Sequence, residues 1–149
     1  MDPEKQTFHM ERIFDAPRQL VFDYFTIPEL ICTWWGPQNV TTVKAEINLY
    51  AGGSCRWEMR DAEGALLILN GRILEVVLPQ CLVMTHQWEG DDQVTTLTLE
   101  FIEIGEKTKL LLKQEGISKT IPIHLYDDWW TGTLTRLQTA ISVKRSLME

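Results

Sequence analysis

Few side chains in this sequence are of a type that does chemistry, and none falls at the spacing of a catalytic constellation. No Gly-x-Ser-x-Gly, P-loop or dinucleotide fingerprint occurs, and Gly52-Gly53 lacks the lysine and helix of a phosphate cradle. The polar candidate is His86, which shares strand parity with Met84 and Trp88. An imidazole facing inward there has three open readings: one hydrogen bond within a core, contact with a ligand, or general acid–base work. The last needs a partner that the sequence does not identify. His9 and His124 are expected at the surface, and the three histidines lack metal-ligand spacing. Glu58 and Glu115 read as solvated strand ends or as carboxylates at a pocket mouth. Asp127 and Asp128 suit the first turns of a helix. Cys32, Cys55 and Cys81 are odd in number and form no C-x-x-C pair, so they read as ordinary buried or half-buried thiols. No catalytic residue, metal or cofactor is assigned.

The elements that must position His86 are legible from periodicity. Residues 6–14 read as a first strand. Asp15-Ala16-Pro17 breaks it and opens a helix, with Asp15 or Ala16 near the cap. Thr26-Ile27-Pro28 interrupts that helix and starts a second, over residues 28–34, so the pair forms a bent element. Trp34-Trp35-Gly36-Pro37 stops it. Residues 40–114 then alternate. Val43, Ala45, Ile47 and Leu49 share one face, as do Cys55, Trp57 and Met59, and Leu82, Met84, His86 and Trp88. Leu97, Leu99 and Phe101 follow, then Thr108, Leu110 and Leu112 across a tight Gly105-Glu106 turn. Residues 66–77 read as one long strand with Asn70-Gly71 as a bend or bulge within it. This is an antiparallel meander with one apolar face. A long helix over residues 121–144 places Ile123, Tyr126, Trp130, Leu134, Leu137 and Ile141 on one side and is the long element available to cover that face. Pro122 suits its first turn, and Lys144 and Arg145 suit its last.

The totals narrow the function classes. With 149 residues the prior is one domain spanning 1–149. The net charge is −7 and no basic run occurs, so no nucleic-acid partner is expected. Met1-Asp2-Pro3-Glu4-Lys5 holds no apolar signal-peptide core and no apolar run is long enough to span a bilayer. A cytoplasmic location is the default expectation, as a monomer or homodimer.

The order of strand, split helices, meander and long last helix carries a resemblance. With Phe14-Asp15-Ala16-Pro17, Pro28-Glu29-Leu30 and Trp34-Trp35-Gly36-Pro37 the chain resembles the activator of heat-shock-protein-90 ATPase homologue-like proteins, within the START-like (SRPBCC) superfamily. Gly52-Gly53, Gly71 with Glu75-Val76-Val77, Leu82-Val83-Met84-Thr85, Glu115-Gly116 and Trp130-Thr131-Gly132-Thr133-Leu134 fit the same pattern, over residues 8–141. The resemblance implies an α+β helix-grip fold. In it a curved antiparallel sheet of about six to seven strands wraps a long C-terminal helix, with two short helices after the first strand. Where that pattern has Gly-Trp, this chain has Trp129-Trp130. The 149 residues leave no room for the separate N-terminal domain with which the eukaryotic activator engages the chaperone.

A pocket between sheet and helix would draw on Trp57, Met59, Leu69, Met84, His86, Trp88, Leu97, Leu99, Phe101 and Leu112, with Trp130 and Leu134 from the helix and Trp34 and Trp35 near one mouth. Taken singly, each of these reads first as a core residue, and it is the set together that points to a pocket. The expected function is non-catalytic binding of a small hydrophobic or amphipathic molecule, as carrier or sensor. The alternatives are a chaperone co-factor or stress-response interaction module, with an exposed patch around Trp129 and Tyr126, and a cyclase- or hydrolase-type enzyme using the same cavity.

Overall fold

A computed structural model describes residues 4–147. Met1, Asp2 and Pro3, part of the stretch without a signal-peptide core, lie outside the described residues. Ten elements follow one another. They are β1 (Lys5–Phe14), α1 (Arg18–Thr26), α2 (Pro28–Ile31), β2 (Thr41–Ile47), β3 (Ser54–Arg60), β4 (Leu66–Val77), β5 (Cys81–Trp88), β6 (Thr95–Ile104), β7 (Lys107–Ser118) and α3 (His124–Leu147). The strands form one 7-stranded curved antiparallel sheet in the order β1-β7-β6-β5-β4-β3-β2. Strands β2 to β7 are thus a continuous meander, and β1 adds to the free edge of β7.

The helical corner follows from prolines. Pro17 stands at the N-cap of α1 with an extended backbone, and its carbonyl accepts from the Leu20 and Val21 N–H groups. The cap therefore falls later than Asp15 or Ala16, and no side chain caps it. Ile27 is extended because the following proline ring crowds a helical conformation, which separates α1 from α2. α2 ends at Ile31, short of the expected residue 34, and hydrogen-bonded turns carry the chain on to Trp35.

Alternation holds along most of the sheet and shifts by one residue in β2, in β4 between Ile73 and Glu75, and in β7 after Gln114. A bulge between Thr42 and Lys44 turns Thr42 and Ala45 inward and leaves Val43 exposed, against the expected parity. Residues 66–77 do form one strand through Asn70-Gly71. A β-carbon at Gly71 would lie 2.1 Å from the Thr85 carbonyl oxygen, so only glycine lets β4 and β5 approach there.

Trp130, Thr133, Leu134, Leu137 and Ile141 form the buried stripe of α3. They share one continuous core with the inward residues of the sheet, including Trp57, Met59, Leu99 and Leu112. Phe22 and Phe25 of α1 pack edge-on against Phe101 of β6 and extend that core. Ile123, expected on this stripe, is exposed. It lies in the turn before α3, where its carbonyl accepts from the Tyr126 and Asp127 N–H groups. Pro122 likewise precedes the helix.

Candidate functional site

The core is not filled everywhere. A cavity of about 180 Å³ remains between the first turns of α3 and the β5–β6 end of the sheet. Its floor consists of the buried residues Trp35, Leu69, His86, Thr95, Gln114 and Trp130. Its rim consists of Trp88, Gln93, Leu125, Tyr126 and Trp129, all partly or fully exposed. Helical spacing explains the α3 contribution: Leu125, Tyr126, Trp129 and Trp130 recur over one turn on one side. Trp129 lies on the flank of the buried stripe and packs edge-on against Trp88, with ring centroids 5.6 Å apart.

The polar groups of the floor form a directed chain. The Trp130 Nε1–H donates to Gln114 Oε1 at 2.9 Å, and Gln114 Nε2–H donates to Thr95 Oγ1 at 2.9 Å. The Thr95 hydroxyl in turn donates to the main-chain oxygen of His86, at 3.5 Å. Such a chain fixes the orientation of each group and with it the floor, because each buried donor would otherwise lose its partner. At the rim, Gln93 Nε2–H donates to the Tyr126 hydroxyl at 3.3 Å, while Gln93 Oε1 accepts from the Ser118 N–H at 2.6 Å. The phenol thus keeps its own proton to donate. Burial pushes its pKa up, so it stays protonated.

His86 is the one ionisable side chain of the floor. Its ring meets Trp57 and Trp35 edge-on at centroid distances of 5.0 and 5.9 Å, and its Nε2 lies 3.2 Å from Met84 Sδ. Burial pushes its pKa down to about 3, so the imidazole is neutral. The Trp35 indole N–H has no hydrogen-bond partner among the described residues, and neither has that of Trp57. Among the described residues, no Lys, Arg, Asp or Glu lines the cavity. The thiols stand apart from it. Burial raises all three, Cys55 to about 12, which keeps them protonated.

Residues 15–142 match the model of the family described as Activator of Hsp90 ATPase homolog 1-like protein. The chain belongs to this family. Its START-like fold recurs in solved structures. A protein of Nitrosomonas europaea superposes with a TM-score of 0.84 at 22% identity, covering 98% of this chain and 99% of that one. The AHSA1 protein of Silicibacter pomeroyi gives 0.83 at 19% identity, over 93% and 99%. An HSP90 activator from Plasmodium falciparum gives 0.66 at 19% identity, over 91% and 96%. No curated protein matches the sequence.

Within this Hsp90-activator-like fold the residues expected around a pocket divide into two groups. Trp35, Leu69, His86, Trp88 and Trp130 line the cavity. Trp57, Met59, Met84, Leu97, Leu99, Phe101, Leu112 and Leu134 are buried in the packed core and do not line it. Trp34 is buried too, with its Nε1–H donating to the Tyr24 carbonyl at 2.9 Å. The mouth is therefore not at Trp34 and Trp35, which both lie deep, because the turn after α2 points their rings into the core. Trp35 stacks flat on Trp57 at 4.9 Å and meets Trp130 at 5.7 Å. These rings occupy much of the space under the sheet.

Gln93, Thr95, Gln114, Leu125, Tyr126 and Trp129 also line the cavity, without having been expected there. Gln114 carried a signal: it sits on the parity of Leu110 and Leu112, so an amide on the apolar face of β7 needed a buried partner. Gln93 lies in the irregular loop between β5 and β6, where periodicity is silent. Glu58 and Glu115 are not at the mouth: they pair with Arg56 and Lys113. His9 and His124 are exposed. No helix among the described residues is long and apolar enough to cross a membrane.

Proposed function

We propose that this protein binds a small, uncharged hydrophobic or amphipathic molecule between sheet and α3, as a non-catalytic carrier or sensor built as a single domain over residues 1–149. The observation that carries this reading is a cavity of about 180 Å³ left open in an otherwise packed core, with an apolar wall and a few fixed polar groups. Its size restricts the occupant, since about 150 Å³ accommodates benzene. Its lining restricts the charge, since an ion there would lose its hydration without gaining a counter-ion.

The test uses calorimetric titration of the natively purified protein with benzyl alcohol, benzoate and benzylammonium, preceded by mass spectrometry of co-purifying small molecules. Saturable binding of benzyl alcohol alone is the expected result. Equal binding of all three, or of none, would overturn the reading.

A second reading is supported by the family and by the Plasmodium falciparum HSP90 activator with the same fold: a chaperone co-factor or stress-response interaction module. Its test is capture by the host's heat-shock-protein-90 homologue, and a pulldown that recovers nothing would dispose of it. A cyclase or hydrolase in the same cavity has less support. A His86 held near pKa 3 is a poor base at neutral pH.

A further inference from the structure

Every group on the cavity floor is held from several sides. Trp130, Gln114 and Thr95 are joined by hydrogen bonds, Leu69 is buried in the core, and Trp35 is clamped between other aromatic rings. None of these can move aside for a larger ligand without breaking a buried contact. The rim differs. Trp129 is half-buried, its ring meets that of Trp88, and Trp88 is half-buried as well. On α3 it flanks Trp130, so its indole reaches over the mouth while its backbone stays in the helix. An indole is the largest side chain, and at this position it lines the rim.

From this we infer that Trp129 sets the size limit of the site, closing it against Trp88 so that it admits single-ring, uncharged molecules and excludes fused or linked rings. The inference rests on the ligand-binding reading of the cavity and adds its specificity-determining residue. Removing the indole leaves the floor and its hydrogen bonds in place. A variant at Trp129 therefore changes which ligands enter without removing the groups that hold them.

The experiment compares the wild-type chain with Trp129→Ala, and with Trp129→Phe as a milder substitution should the first fail to fold. Phenol and 2-naphthol are titrated by calorimetry, and N-phenyl-1-naphthylamine by its own fluorescence, which brightens in apolar surroundings. The wild type should bind phenol and neither larger probe. Trp129→Ala should still bind phenol and should raise the affinity for N-phenyl-1-naphthylamine relative to phenol at least about tenfold. Trp129→Phe should gain 2-naphthol alone. If the wild type takes the largest probe as well as the variants do, or the variants gain nothing while phenol still binds, Trp129 is not the limit and the ligand-binding reading survives. If no protein binds any probe, both fall together.

Discussion

His86 shows how position overrides residue type. An imidazole ordinarily titrates near neutrality, but here two indoles and a thioether surround it and burial pushes its pKa down to about 3. The unfolded chain takes up this proton below pH ~6.5 and the folded chain refuses it. The stability tied to neutral His86 is therefore complete above pH ~6.5 and declines as pH falls toward about 3, by up to ~1.4 kcal/mol per pH unit. Urea unfolding at pH 7.5 and pH 5.5 should show this loss in the wild type and a flatter dependence in His86→Gln. Gln114 allows a second test at this scale. Gln114→Met strands the Trp130 N–H and should cost ~1–3 kcal/mol. Adding Trp130→Phe removes the stranded donor, so denaturant titration of the double variant should find less than the sum of the two single losses.

At the scale of elements, α3 is held by its apolar stripe and by one arginine. Leu137 is fully buried, and Leu137→Ala should lower stability by ~2–5 kcal/mol in thermal or chemical unfolding. An unchanged melting curve would contradict its place in the core. Arg136, one residue earlier, points to the other side. Its Nη1 donates to the carbonyls of Gly36, Pro37 and Val40, at 3.0, 3.1 and 2.6 Å. This ties the segment after Trp35 to the helix. Gly132 lets that segment lie close, since a β-carbon there would come within 3.0 Å of Pro37. Arg136→Met should raise amide hydrogen exchange across residues 36–40 and lower stability by ~1.5–3 kcal/mol. Because Trp35 immediately precedes that segment and lies on the cavity floor, the same variant should also weaken ligand binding.

For the whole molecule, sheet and helix enclose a space that aromatic side chains largely fill. All six tryptophans take part in ring contacts, and four of them (Trp35, Trp88, Trp129 and Trp130) border what remains. A ligand in that remainder adds to global stability by mass action, because only the folded chain has the site. Benzyl alcohol at a hundred times its Kd should stabilise the protein by ~2.7 kcal/mol, read as a rise in Tm that Trp130→Ala abolishes. The chaperone reading predicts no such rise.

Periodicity and proline placement were enough for the element order, the long strand through Asn70-Gly71, the inward set on β5 and the helical stripe from Trp130 to Ile141. These depend on local backbone geometry, in which a residue's neighbours along the chain decide its face. The bulge at Thr42 escaped that logic because a single extra residue inverts parity with no change in composition. The same holds for the split of the aromatic residues into packed core and cavity wall. Trp57 and Trp35 are alike in sequence character, and only their stacking across β3 and the turn after α2 buries one away from the cavity and leaves the other on its floor. A cavity is the space left when distant segments meet. Its size, its mouth at Trp88 and Trp129, and the Trp130–Gln114–Thr95 chain that fixes its floor were therefore decided by tertiary packing alone.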